Sequence, residues 1–387
     1  MNTVEVKPEL IRWARERSGL TESDLTERFP KFELWQAGEA SPTLKQLEAY
    51  AKKTLTPFGY CFLPTPPEEK LPIPDFRTVR DRGVRRPSPN LLESIYAMQR
   101  RQDWMREYLV EEGAARLPFV GSVTLESSQK DAARRIRETI GMTDGWAREQ
   151  ATWTAALLAL RRAAEAAGII VVINSVVGNS NRRKLDPDEF RGFVLSDPYA
   201  PLIFINGADF KSAQMFSLAH ELAHVWLGRD GVFDLPGLQP AENEVERFCN
   251  AVAAELLIPA AELQAMWPRA HRTENPFQTV ATAFRVSPIV AARRALDLNL
   301  IPRAEFFAFL EDYEADERRR EGAKKAKKSG GDFYLGQEVK IGRRFGEAVI
   351  RAARAGRLLY RDAYRLTGLY GQTFDRFAEG LGFALPG

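Results

Sequence analysis

Residues 216–228 read FSLAHELAHVWLG, an apolar run that carries one glutamate and two histidines. A helix made of this run has almost no polar face, so it belongs in a core, and three ionisable side chains must enter the core with it. Buried charge is strongly unfavourable unless it is paired or bound to a metal. The whole chain has three histidines, and two of them stand here. Any fold for this chain has to be organised around that helix and must supply partners for those groups.

His220, Glu221 and His224 have the spacing H-E-x-x-H. Positions i and i+4 of a helix share one face a turn apart, so both imidazoles can address a single ion. Glu221 leans to the side of that face, where its carboxylate reaches a water without becoming a ligand. Zinc suits such a site, since a catalytic zinc takes three protein ligands and keeps one position open. The expected chemistry is metal-assisted hydrolysis, with Glu221 as the base that removes a proton from water. The plainer alternative is a core helix whose histidines are only hydrogen-bonded. The concentration of two of the three histidines in one motif favours the metal.

The third ligand is expected downstream. His271 is the only other histidine, but MWPRAHRTENP reads as a surface turn. The helix in AENEVERFCNAVAAELLIP offers Glu242, Glu244, Glu246 and Glu255. Its inward stripe runs through Cys249, Ala253, Leu256 and Leu257, and Glu246 lies on that stripe. Glu244 and Glu255 fall more towards solvent, while Glu242, one turn earlier, competes with Glu246. Asn250 can hold one histidine ring by its other nitrogen.

These two stretches resemble the ImmA/IrrE family of metallopeptidases, whose pattern is H-E-L-x-H and then E-x-x-A-N-x-F-A-x-x-L-L-x-P. Glu246, Asn250, Leu256, Leu257 and Pro259 match the second part; Cys249 replaces the usual alanine and Val252 the usual phenylalanine. RGFVLSDPYAPLIFIN and PFQTVATAFRVSPIVAARRAL are also similar to that family, so the resemblance covers roughly residues 150–300. It implies a gluzincin-like site and a protein substrate, a DNA-binding regulator or antitoxin-like protein, in a stress, mobile-element or toxin–antitoxin setting. Tyr199 and Arg293 are candidates for stabilising the oxyanion, although no spacing ties them to the metal.

With 387 residues the chain has room for two or three domains. The runs GIIVVIN, RGFVLS and PLIFIN read as a small sheet ahead of the motif helix, with PLIFIN as an edge on which an extended substrate could pair. Residues 90–112 and 129–168 read as helices, as do the segments after the motif. The expected class is α+β, mostly helical: a gluzincin-like peptidase domain with a small sheet, flanked by two helical units. The expected boundaries are 1–63 for a helix-turn-helix-like unit, 64–89 for a proline-rich linker and 90–310 for the peptidase domain with its preceding helices. A charged linker over 311–332 and a C-terminal helical unit over 333–387 complete the chain.

The N-terminal stretch LIRWARERSGLTESDLTERF…WQAGEASPTLKQLEAYA resembles an Xre-type helix-turn-helix. Thr21 and Asp24 have capping-box spacing if Asp stands in for Glu. The segment Leu25–Gln36 is about one helical turn short, and Pro30 stands where the recognition helix should begin. Lys31, Glu33 and Gln36 are a poor set for reading bases. DNA contact and a docking role are both open readings there. The C-terminal unit interleaves Arg343, Arg344, Arg351, Arg354, Arg357, Arg361 and Arg365 with Tyr360 and Tyr364. Such a face can meet nucleic acid or an acidic partner, and more simply it is a solvated surface.

Two distant cysteines, no apolar run of membrane-spanning length and no signal-peptide core at MNTVEVKPEL together point to the cytoplasm. A net charge of +3 does not demand a nucleic-acid partner. The competing class is an Xre-like regulator or antitoxin in which the metal site is structural or inactive. Glu221 would have no purpose in a structural site, which favours the zinc endopeptidase.

Overall fold

The computed structural model describes residues 3–74, 86–233, 243–324 and 333–383. The chain divides into two compact units, Met1–Pro72 with Val79–Tyr96, and Ile73–Thr78 with Ala97–Gly387. Among the described residues no helix is long and apolar enough to cross a membrane.

The first unit holds α1 (Pro8–Ser18), α2 (Glu22–Thr26), α3 (Phe32–Ala37) and α4 (Leu44–Lys53). Thr21 caps α2 by accepting from the Asp24 N–H, and the Asp24 carboxylate accepts from the Thr21 N–H, so Asp does stand in for Glu. Tyr50 of α4 is fully buried beside the rings of Phe29, Phe32 and Trp35, and its hydroxyl donates to the Ile11 carbonyl at 2.7 Å. Both aromatic side chains of the six-residue α3, Phe32 and Trp35, are spent on this core. Its outer side is left with Glu33, Leu34 and Ala37, with Gln36 half-buried.

The helix α5 (Pro89–Glu111) is followed by α6 (Gln129–Ile140) and α7 (Trp153–Ala166). One helical stretch over 129–168 was expected, but Gly141 and Gly145 take φ of 69° and 74° and divide it. Positive φ is easy only for glycine, so GMTDG ends one helix before the next begins.

The sheet contains β1 (Ile170–Asn174), β2 (Gly192–Leu195), β3 (Leu202–Asn206) and β4 (Gly231–Phe233), in the order β1-β3-β2-β4. The first three strands are buried along their whole length, which is why they read as unbroken apolar runs rather than alternating ones. β3 pairs in parallel with β1, from Ile170↔Leu202 to Asn174↔Asn206, and antiparallel with β2, where Phe193 stacks on Phe204 at 4.8 Å. The expectation that PLIFIN forms an edge is therefore corrected. β3 is interior, with its backbone groups used on both sides. The edge on the β2 side is β4, and its Val232 N–H donates to the Pro74 carbonyl at 3.0 Å.

The motif helix is α8 (Lys211–Leu227), which packs on β2 and β3 and against α6, α7 and α9 (Glu244–Leu257). It ends at Gly228, φ 66°, whose N–H and that of Arg229 cap the Val225 and His224 carbonyls. A Cβ on Gly228 would lie 2.9 Å from the Gly121 Cα, backbone against backbone. Gly228→Ala should therefore destabilise the protein by more than the roughly 1–2 kcal/mol of the left-handed backbone alone. A urea unfolding midpoint equal to that of wild type would contradict this packing.

The remaining helices are α10 (Ala260–Ala270), α11 (Pro276–Phe284), α12 (Pro288–Asp297), α13 (Arg303–Lys324), α14 (Phe333–Ile341), α15 (Arg343–Arg354), α16 (Tyr360–Thr367) and α17 (Gln372–Gly380). The acidic part of the expected charged linker is thus helical as far as Lys324; residues 325–332 lie outside the described residues. The C-terminal helices join the rest of the second unit through α7. Glu165, buried beside Arg161 at 3.0 Å, accepts from the Arg343 N–H at 2.7 Å, and Arg161 donates to the Glu338 carbonyl at 3.0 Å.

Candidate metal centre

Every residue of α8 from Gln214 to Leu227 is buried, so the helix is enclosed on all sides and its ionisable groups are sealed in. Among the described residues, one group of His, Cys, Asp and Glu side chains has ligand atoms gathered closely enough for a metal ion: His220, His224 and Glu246, all within 4.8 Å of one another. The glutamate comes from the first turn of α9. That helix starts where the Asn243 side chain accepts from the Val245 N–H at 2.8 Å, which fixes the direction in which Glu246 leaves the backbone. Its carboxylate oxygens lie 3.1 Å from His220 Nε2 and 3.1 Å from His224 Nε2, and the two Nε2 atoms are themselves 3.1 Å apart.

Asn250, one turn beyond Glu246, places Oδ1 2.9 Å from His220 Nδ1. With Oδ1 accepting, Nδ1 carries the proton and the Nε2 lone pair faces Glu246 and His224. Burial lowers the pKa of His224, against the pull of Glu246, and so favours its neutral form. Burial alone would raise the Glu246 carboxyl, but the two imidazoles outweigh it and bring the pKa down to about 2. The set is two imidazole nitrogens and one ionised carboxylate, converging where a cation would relieve their mutual repulsion. Those donors are of the types zinc takes.

Glu221 stands beside the cluster rather than in it. It is fully buried, and neither carboxylate oxygen has a hydrogen-bond partner. Its pKa is held well above the usual carboxylate range by burial first and by the neighbouring Glu246 charge second. A buried carboxyl with both oxygens unpaired is costly in a purely structural role and is ready to exchange a proton. Cys249, also fully buried, keeps its thiol protonated for the same reason, burial, aided by Glu246 and Glu221.

The other sequence candidates fall elsewhere. Glu244 is exposed, and Glu242 lies outside the described residues. Glu255 does not face solvent as expected. It is 6% exposed and paired with Arg294 of α12, which also donates to the Ile258 carbonyl at 3.0 Å. His271 is exposed, as a surface position should be, but α10 runs through Pro268 right up to it, so the stretch before it is helix and not turn. Tyr199 lies beneath the Arg116 guanidinium at 5.8 Å, and Arg293 pairs with Asp297 at 2.9 Å along its own helix. These contacts lend no geometric support to the oxyanion role expected of either. The sequence reading overlooked the part played by residues 119–123 and 229. Val123 N–H caps the Trp226 carbonyl, Phe119 stacks on Trp226 at 4.4 Å, and the Arg229 backbone faces His224.

No curated protein matches the chain. Residues 341–380 match a domain of unknown function, DUF8813. Residues 164–296, which include β1 to β4, α8 and α9 and hence all four site residues, match the family model Peptidase_M78, described as the IrrE N-terminal-like domain. The middle of the chain is thus similar to the IrrE N-terminal-like peptidase domain, and the match supports its reading as a metallopeptidase.

Proposed function

We propose that this protein is a zinc-dependent endopeptidase that cleaves a partner regulatory protein. The observation that carries the reading is a buried, unpartnered Glu221 beside the converging His220, His224 and Glu246. In this reading the three clustered side chains hold the ion, and Asn250 orients the His220 ring by its Nδ1 proton. When bound, such an ion supplies Lewis acidity, polarising a peptide carbonyl and acidifying water at its open position. Glu221 removes the proton from the attacking water and delivers it to the leaving amine nitrogen. Its burial keeps it from spending that proton on bulk solvent.

The substrate is an extended segment of a DNA-binding regulator or an antitoxin-like protein, met in the cytoplasm under stress or during mobile-element activity. The test compares the protein content of cells making the wild-type chain with that of cells making Glu221→Gln. One regulator should shorten or disappear only with wild type. Identical profiles would favour a regulator whose metal site is inactive.

The N-terminal helices act in this reading as a docking module. With Phe32 and Trp35 turned inward, the six-residue α3 has few side chains for the major groove. Replacing Lys31, Glu33 and Gln36 together by alanine in the full chain should leave its affinity for duplex DNA from its own promoter region unchanged within about twofold. A loss of about a hundredfold would instead make α3 a recognition helix.

A further inference from the structure

We propose that the cavity at the start of α8 is a second binding site, separate from the metal centre, for a carboxylate carried on an aromatic body. The cavity measures about 550 Å³ and lies among Trp153, Phe210, Lys211, Phe277, Phe309 and Tyr313. That is the size of a small-molecule site, and aromatic walls around a few polar groups are the usual composition of one. The walls are fixed in place. The Trp153 indole N–H donates to the Val286 carbonyl at 2.9 Å. Phe277 and Phe309 meet with ring centres 4.6 Å apart, and Tyr313 follows at 5.7 Å from Phe309.

Charge selects the kind of ligand. Lys211 stands at the mouth, exposed to solvent on one side, while burial on the other lowers its pKa with no carboxylate to oppose the shift. Its ammonium lies 3.1 Å from Gln214 Oε1, a neutral partner. Gln214 is buried and donates its amide to the Gly207 and Asp209 carbonyls at 3.2 and 2.6 Å, so its oxygen is held towards the lysine. The Asp209 carboxylate is already paired with Arg191 at 3.2 Å. Glu274 also borders the cavity, but it is exposed, and among the described residues no ion pair joins it to Lys211. Lys211 is also the first residue of α8, which has no side-chain cap, so the helix dipole adds positive potential there. An ammonium in such a place is stabilised by a carboxylate brought by a ligand.

Aromatic walls can also take a cation, but here the cation would meet Lys211, and the Trp153 ring already carries the Arg285 guanidinium at 5.3 Å. A small inorganic anion would leave the apolar walls unused. An aromatic ring joined to a carboxylate uses both. That chemistry can come from a free aromatic acid or from a peptide that ends in an aromatic residue. Lys211 stands nine residues before His220. That is about 14 Å along the helix axis, so the occupant binds without touching the metal. The inference therefore stands apart from the peptidase reading.

The test is a fluorine-NMR titration of the full-length protein with para-fluorophenylpropanoate, with and without a chelator. The acid should bind saturably, with a dissociation constant of roughly 10⁻³ M or tighter. Its amide keeps the ring without the charge, and para-fluorophenethylammonium reverses the charge; each should bind at least about tenfold more weakly. Acetate, the charge without the ring, should not displace the acid at equal concentration. Lys211→Met, a change at an exposed position, should weaken the acid about tenfold, and Lys211→Arg should keep it within about threefold. The chelator should change nothing. A short peptide ending in phenylalanine separates the two sources. Displacement of the probe by the free peptide but not by its C-terminal amide supports a peptide terminus, and displacement by neither supports a free acid. Four results would each overturn the proposal: no saturable binding, equal affinity for the acid and the amine, undiminished affinity in Lys211→Met, or loss of binding with the chelator, which would put the carboxylate on the metal.

Discussion

Glu221→Gln should keep the fold and the bound metal while reducing cleavage by about 10²–10⁴-fold, the range attributed to a positioned general acid–base group. The substitution is close to isosteric and removes no metal ligand, since Glu221 lies outside the His220, His224 and Glu246 cluster. It also replaces a buried carboxyl that has no partner for either oxygen, so stability should hold or rise. Three readings separate the outcomes: metal content, thermal midpoint and cleavage of the regulator found in cells. Retained metal with lost cleavage is expected. Retained metal with full cleavage would take the proton transfer away from Glu221 altogether.

His224→Ala should abolish stoichiometric zinc. Two ligands cannot replace three in so small a cluster, and His224 Nε2 lies 3.1 Å from both the His220 nitrogen and the Glu246 carboxylate. A ligand that binds only the native state stabilises it by about 4 kcal/mol when present at a thousand times its dissociation constant. Wild type should therefore melt at a higher temperature with added zinc and at a lower one with a chelator, while His224→Ala should respond to neither. Glu246→Gln should weaken zinc binding more than Glu242→Gln. The reverse order would make Glu242 the ligand, and an undiminished zinc response in His224→Ala would remove the histidine from the site.

The parts of this molecule that could be read from sequence are those governed by helical period. His220 and His224 had to share a face, Glu246 had to fall on the stripe of Cys249 and Ala253, and Asn250 had to follow it by one turn. Local periodicity is sufficient for all of these. What could not be read depends on pairing between distant segments. PLIFIN reads as an edge because an apolar run looks the same whether one neighbour or two bond to it; only the order β1-β3-β2-β4 distinguishes them. Glu255 reads as facing solvent because its partner Arg294 lies 39 residues further on, and a buried ion pair leaves no mark in helical spacing. β4, three residues long, is too short for any period to register. The division between α6 and α7 was different in kind. Its signal, two glycines in GMTDG, stood in the sequence, and the positive φ they adopt is a local preference that the apolar spacing around them concealed.

Diffraction data from zinc-loaded crystals, collected on either side of the zinc absorption edge, test the central claim most directly. One anomalous peak per chain is expected, about 2.0–2.2 Å from His220 Nε2, His224 Nε2 and a Glu246 oxygen, with the Glu221 carboxyl beside the open position. No peak between α8 and α9, or an ion held there without Glu246, would contradict it.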